Sequence, residues 1–239
     1  MPISRILEVA GLHKEFMLFV QGGKRIQALE DISFEMAQGE VVGLTGKSGA
    51  GKSTLMKCIY RTYVPTAGSI RLRRSDGSIV DLATAAEHDV LGVRRSEMTY
   101  CSQFLLAIPR VPAIEVAAEG LLNRKTARET AFAEVRQCFE RLGLPEELWD
   151  AYPSTFSGGE QQRINICRAI LTRPRFLLVD EPTASLDMTT KDAVIEMLLE
   201  IRESGTSILL ITHDEHTLRR LSDRCLHLEN GRVRESVEV

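Results

Sequence analysis

The chain has 239 residues, 44% of them apolar, which is enough for one large domain with a buried core. Its net charge of −3 comes from 33 acids and 30 bases with no basic block or stripe, which argues against a nucleic-acid partner. No apolar run approaches the roughly 18 residues that a membrane span needs, and Met1–Val9 lacks the apolar core of a signal peptide, so the expected location is the cytoplasm, without direct membrane insertion.

In chain order, Ile6–Val9 and Leu12–Phe19 read as two short strands, and Gln21-Gly22-Gly23-Lys24 before Ile26 as a hairpin turn. Leu29–Met36 alternates, with Ile32, Phe34 and Met36 on one side, so the opening region predicts an antiparallel β layer. Glu40–Thr45 is almost continuously apolar, as a strand buried on both faces must be. A helix over Ser53–Tyr60 follows, and then strands at Ser69–Leu72 and Ile79–Leu82 around an Asp76-Gly77 turn. Residues 113–148 are mostly helical in pattern, with Val116, Leu121 and Leu122 on one stripe and Phe132, Val135, Phe139 and Leu142 on another. Phe176–Val179 and Ser207–Ile211 are buried strands on either side of a helix over Ala193–Ile201. Leu226–Glu229 and Arg232-Val233 flank Asn230-Gly231 as a hairpin. Apolar strands alternating with helices predict an α/β fold with a mainly parallel sheet. The five cysteines, Cys58, Cys101, Cys138, Cys167 and Cys225, are scattered and form no Cys-x-x-Cys pair, which points to buried thiols and not to zinc or disulfides.

The chemistry lies between these elements. Gly46-Lys47-Ser48-Gly49-Ala50-Gly51-Lys52-Ser53 matches the phosphate-binding loop between a buried strand and a helix. Glycines let backbone N–H groups turn toward phosphates, Lys52 is placed for the β- and γ-phosphates, and the Ser53 hydroxyl for Mg²⁺. Thr54 adds a hydroxyl near the α-phosphate. Asp180 and Glu181 close the apolar strand Phe176–Val179; Asp180 can bind Mg²⁺, and Glu181 can polarise the water that attacks the γ-phosphate. His213, just after the strand Ser207–Ile211, can reach the γ-phosphate and that water. Gln103 offers a neutral oxygen to Mg²⁺. Ser157-Gly158-Gly159-Glu160-Gln161 opens a helix, where a serine cap and free amides attract anions. Phe16, on the β layer, can stack an adenine. The order of these motifs implies two subunits that sandwich ATP.

Together these residues resemble the nucleotide-binding domain of ATP-binding cassette (ABC) ATPases, over essentially the whole chain. The resemblance implies a P-loop NTPase of ABC type. Residues 1–239 would be one such domain, with an antiparallel β subdomain and a helical subdomain at about 104–165. It names the Walker A loop (Gly46–Ser53), the Q-loop (Gln103), the signature (Ser157–Gln161), the Walker B acids (Asp180, Glu181), the D-loop (Ser185–Asp187) and the switch histidine (His213). It implies ATP hydrolysis with Mg²⁺ in a head-to-tail dimer, of this chain with itself or with a paralogous cassette. Phe156 replaces the usual Leu before the signature serine, and Glu160 the usual Gln. Gln103–Pro112, Glu115–Glu119 and Leu12–Phe16 with the following Gly-rich turn look like the L-type ATP-binding subunit of the bacterial phosphonate carbon–phosphorus lyase system. That likeness implies soluble lyase subunits as partners. The alternative is a transporter ATPase similar to the lipoprotein-release and macrolide-export type, whose groove after the Q-loop receives a helix of a membrane subunit. The span from Gln103 to Ser157 is too short for the insertions of DNA-repair cassettes.

Overall fold

The computed structural model describes residues 4–18, 24–106 and 108–238. Its first strand, β1 (Arg5–Leu18), runs through both segments that the sequence reading separates. Gly11, at φ +56°, marks the join, and the register against β2 (Lys24–Ala37) slips between Val9 and Leu12. This is a β-bulge, which bends a strand without ending it. The Gln21-Gly22-Gly23 turn lies outside the described residues; Leu18 pairs with Lys24 on either side of it. β2 buries Ile32, Phe34 and Met36, as their alternation predicts, and also Leu29, which is out of phase with them. With β4 (Ala67–Arg73) and β5 (Ile79–Asp81) these strands form an antiparallel sheet in the order β2-β1-β4-β5.

The second sheet has the order β10-β9-β3-β8-β7-β6. Its strands are β3 (Val41–Thr45), β6 (Met98–Cys101), β7 (Phe176–Asp180), β8 (Ser207–Ile211), β9 (Arg224–Glu229) and β10 (Arg232–Glu238). All neighbours are parallel except β9 and β10, which join through Asn230 and Gly231, both at positive φ as a tight hairpin turn requires. This sheet divides two apolar layers. Val41, Leu177 and Val179 face one, and Val42, Leu44, Phe176 and Leu178 face the other. Burial on both faces explains why β3, β7 and β8 are apolar without alternation.

The helices are α1 (Lys52–Ile59), α2 (Glu87–Ser96), α3 (Ala113–Asn123), α4 (Arg128–Arg141), α5 (Gly158–Leu171), α6 (Met188–Glu203) and α7 (Glu215–Leu221). α3, α4 and α5 pack together through Val116, Ala117, Val135, Phe139, Ile164 and Cys167. The helical stretch expected over 113–148 is divided: the chain leaves α3 with Lys125 at φ +64°, re-enters as α4, and closes in a 3₁₀ turn at Glu146–Leu148. α2 and α7 were not expected; α2 buries only Val90 and Val93. The cysteines are free thiols, all buried except the half-buried Cys225. Among the described residues, no helix is long and apolar enough to cross a membrane. The carboxyl ends of β3, β7 and β8 lie side by side, where parallel sheets place their ligands.

Candidate nucleotide site

From Thr45 the chain turns through Gly46–Gly51 into α1. A Cβ on Gly46 (φ +139°) would lie 2.2 Å from the Leu228 carbonyl oxygen, and one on Gly51 (φ +108°) 2.6 Å from that of Ala28. The loop therefore packs tightly against β9 and β2 on its outer side. A Cβ on Gly49 would meet nothing within 4 Å. Ser48, Gly49, Gly51, Lys52, Ser53 and Thr54 line a cleft of about 780 Å³. Gly46, Lys47 and Ala50 do not line it. Lys52 Nζ donates to the Gly46 and Lys47 carbonyls at 2.6 and 3.0 Å, and the Ala50 carbonyl accepts from Gly231 N at 3.1 Å. Burial holds the Lys52 pKa below its usual value, against the pull of Glu181 and Asp180. An ammonium resting on neutral carbonyls is available to a polyphosphate.

The facing wall is built from the ends of β6, β7 and β8. Asp180 is 4% exposed and accepts a hydrogen bond from Tyr100 Oη at 3.2 Å. Burial raises its pKa, with the Ser53 and Tyr100 hydroxyls and nearby lysines opposing. Ser53, Asp180 and Gln103 line the same cleft with hydroxyl, carboxylate and amide oxygens. These hard donors suit Mg²⁺, which takes one or two carboxylates and completes its shell with phosphate and water. Among the described residues, no group of three or more His, Cys, Asp and Glu could hold a metal by itself.

Glu181 takes φ +53°, a left-handed conformation that costs a non-glycine residue about 1–3 kcal/mol. The surroundings hold it there. Its N–H donates to the Ile211 carbonyl at 2.9 Å, and Gln162 Nε2 donates to the Glu181 and Pro182 carbonyls at 3.4 and 3.3 Å. The turn directs the carboxylate into the cleft, with Oε1 3.6 Å from His213 Nε2. Burial raises the Glu181 pKa and His213 opposes it, which moves the carboxylate toward the basicity that proton abstraction from water needs.

Gln103 is exposed at the cleft edge, on a loop pinned by α5: Asn165 Nδ2 donates to the Ser102 carbonyl at 2.5 Å, and Arg168 Nη1 to that of Leu106 at 3.2 Å. Phe16 does not line the cleft. Its ring meets Tyr63 edge-on at 5.2 Å with Lys14 Nζ 4.8 Å from its centroid, whereas its cross-strand partner Ile26 does line the cleft. Ser157, Gly158, Gly159 and Glu160 also lie outside it. Ser157 Oγ accepts from Glu160 N at 3.4 Å, and Glu160 Oε2 accepts from Ser157 N at 2.8 Å, a complete capping box on α5. Glu160 thus does for the helix what a Gln would do. A Cβ on Gly159 would sit 2.9 Å from the Ser185 carbonyl, so this turn packs on the Ser185–Asp187 segment, where Asp187 caps α6. Tyr100, Gln162 and Asn165 are supports that the sequence reading missed. The signal for Gln162 and Asn165 was two amides on the buried face of an apolar helix.

A sequence profile described as ABC transporter matches residues 29–184. The chain belongs to the ABC transporter family. This ABC ATPase is 37% identical over 217 residues to the lipoprotein-releasing system ATP-binding protein LolD of Bordetella pertussis, covering 90% of this chain and 91% of that one. It is 34% identical to the methionine import ATP-binding protein MetN of Haemophilus ducreyi, over 98% of this chain and 65% of that protein. Among solved structures, a dimeric post-hydrolysis state of the ATP-binding cassette MJ0796 bound to ADP and Pi matches with a TM-score of 0.87 at 25% identity, covering 98% of each chain. The P-loop cassette fold and the identity as an ATP hydrolase follow. These relatives are named for lipoprotein release and methionine import. They lend the phosphonate lyase assignment no support and favour the transporter alternative.

Proposed function

We propose that this ABC ATPase hydrolyses ATP at two sites, each shared head-to-tail between two cassettes, and that closure of the pair drives a partner docked beside the Gln103 loop. The observation that carries the reading is the position of the signature turn. Ser157 and Gly158 are exposed at the N-terminus of α5, outside the cleft that holds Lys52, Asp180, Glu181 and His213. An anion-binding helix end that cannot serve its own cleft fits the open side of a second copy's cleft.

In this reading Phe16 stacks the adenine once Tyr63 gives way, and the Gly46–Thr54 amides, Lys52 and hydroxyls bind the phosphates. Ser53, Asp180 and Gln103, which line the same cleft, would hold Mg²⁺, and the ion would supply positive charge to the phosphates when bound. Glu181 accepts the proton of the attacking water, and His213 orients that water and the γ-phosphate. Gly158, Gly159 and Ser157 of the second cassette, with Glu160 holding their turn, cap the γ-phosphate from the far side. The chain is one nucleotide-binding domain, and residues of about 104–165 form the helical subdomain that carries the signature.

The relatives support a membrane permease subunit as the partner, with this chain on its cytoplasmic side. A second reading, in which soluble carbon–phosphorus lyase subunits for phosphonate breakdown take that place, is favoured by the likeness of Gln103–Pro112 and Leu12–Phe16 to the lyase cassette. Purification of the tagged chain from its native cell in mild detergent separates the two. A membrane subunit recovered in stoichiometric amount supports the first. Soluble lyase subunits, together with loss of growth on a phosphonate when the gene is deleted, support the second and overturn the first. An absence of ATPase activity in the purified protein would refute both.

A further inference from the structure

The Tyr100 side chain carries more than packing requires. β6 and β7 pair in parallel with Tyr100 opposite Leu178. Side chains alternate along a strand, so Asp180 lies one pleat further along the face that Tyr100 occupies. The Tyr100 ring packs on the apolar layer that contains Phe176 and Leu178, as a Phe ring would. Its hydroxyl reaches further and donates to Asp180 Oδ2 at 3.2 Å. Ser53 also hydrogen-bonds this carboxylate, but Ser53 lines the nucleotide cleft and is itself a candidate ligand of Mg²⁺. Tyr100 does not line that cleft, so its hydroxyl approaches Asp180 from outside it.

The ring that carries this hydroxyl is held in turn. Tyr60, which caps the C-terminus of α1, lies against it with ring centres 5.4 Å apart and planes tilted by 50°. Arg94 of α2 covers Tyr60, its guanidinium 4.4 Å from the ring centre, and donates twice to the Tyr60 carbonyl at 2.9 and 2.7 Å. Aromatic and cation–π contacts of this kind fix where a ring sits. Arg94, Tyr60 and Tyr100 thus form a stack that ends on one oxygen of Asp180. The carboxylate has two oxygens to offer, and the stack gives Oδ2 a standing partner.

We propose that Tyr100, acting through Asp180, sets the choice of metal ion: by holding Oδ2 it leaves the carboxylate one oxygen for the ion, and so favours Mg²⁺ over Ca²⁺. This rests on the reading that Asp180 helps to hold Mg²⁺. Mg²⁺ takes about six ligands in near-ideal octahedral geometry and asks a carboxylate for one oxygen, whereas Ca²⁺ takes about six to eight and often grips a carboxylate by both. A two-oxygen grip turns Oδ2 toward the ion and gives up its bond to Tyr100. A one-oxygen grip keeps that bond. A hydrogen bond to a charged acceptor is among the stronger ones, and Asp180 is 4% exposed, so water does not readily replace the hydroxyl. The cost therefore falls on Ca²⁺ and spares Mg²⁺. Tyr100 touches neither ion nor nucleotide in this role; it is a positioning residue.

The test uses the full chain carrying Glu181→Gln, so that nucleotide is bound and not consumed. Binding of a fluorescent ATP analogue is followed while Mg²⁺ or Ca²⁺ is titrated, and the ratio of half-saturating Ca²⁺ to half-saturating Mg²⁺ is read. Tyr100→Phe keeps the ring and removes the bond. The ratio should then fall about tenfold, chiefly through tighter Ca²⁺, as the strength of a hydrogen bond to a charged group implies. Affinity for the analogue in EDTA should not change. Tyr60→Leu removes the ring on which Tyr100 leans and should move the ratio the same way by a smaller factor, while Tyr60→Phe keeps it at the parent value. An unchanged ratio in Tyr100→Phe overturns the proposal. So does an equal loss of affinity for both ions, which would make Tyr100 a structural support and nothing more. If Tyr100→Phe does not fold, the Tyr60 pair decides, and equal ratios for Leu and Phe overturn the proposal. A parent protein whose nucleotide binding ignores both ions refutes the metal site itself, and the proposal with it; a parent that responds to Mg²⁺ but shows no effect of Tyr100→Phe refutes the proposal alone.

Discussion

Replacing Glu181 by Gln removes a proton acceptor from the cleft while keeping its shape. The Gln side chain fits the same turn, since the backbone bonds that hold residue 181, from Gln162 and to Ile211, do not involve its carboxylate. Asp180 keeps its Tyr100 partner, and Lys52 keeps its carbonyls, so the groups proposed to hold the nucleotide keep their places. A positioned general base contributes about 10²–10⁴-fold, or about 2.7–5.4 kcal/mol at 1.36 kcal/mol per tenfold. Steady-state phosphate release should fall by that factor, with Mg-ATP affinity from equilibrium dialysis unchanged. The wild-type pH profile carries a second signature. Burial raises the Glu181 pKa above the ordinary 4.5. Hydrolysis needs the charged form, so activity is lost as pH falls through a value above 4.5, and the Gln variant lacks that acid limb. Turnover within a few-fold of wild type, or an unchanged pH profile, would refute the role given to this carboxylate.

Lys52→Ala removes a cation that phosphates meet in ground and transition state alike; calorimetric Mg-ATP affinity should fall about 10–100-fold, as loss of a charge-assisted contact implies, and unchanged affinity would displace the phosphate-loop assignment. Gly46→Ala places a methyl 2.2 Å from a backbone oxygen at φ +139°, so the melting temperature should drop and nucleotide binding weaken with it. Ile114, 2% exposed, and Phe104, 73% exposed, lie in one apolar stretch but have opposite fates. Ile114→Glu buries an unpaired charge and should unfold the helical region in thermal melts, whereas Phe104→Glu should leave melting and basal ATPase intact.

The P-loop, the Asp180-Glu181 pair and His213 were legible because each sits at the end of a strand so apolar that its first polar residue stands out. Strands β3, β7 and β8 were legible for the same reason: burial on both faces leaves no alternation to misread. The bulge at Gly11 was not, because a residue that slips register without ending a strand looks in sequence like a turn. Nor was the break after α3, where Lys125 adopts the positive φ that a glycine usually signals. α2 was missed because only two of its residues are buried, too few to set a period. At the site, sequence named many of the groups that line the cleft, Lys52, Ser53, Gln103, Asp180, Glu181 and His213 among them, but not those that hold them. Tyr100, Gln162 and Asn165 act through hydrogen bonds spanning 19 to 80 positions, and no local pattern reports such contacts. Phe16 is the opposite case: its sequence position suggests a base platform, and here its ring rests against Tyr63 beside the cleft.

The central claim is that each ATP is held between two cassettes. It is tested most directly by sedimentation velocity of the Glu181→Gln protein, which retains ATP, with and without Mg-ATP. The account predicts a shift from monomer to dimer on adding Mg-ATP, and no shift when Ser157→Arg is also present, although that double variant still binds ATP. A Glu181→Gln protein that binds Mg-ATP and stays monomeric would contradict it, as would a dimer that survives the arginine at position 157.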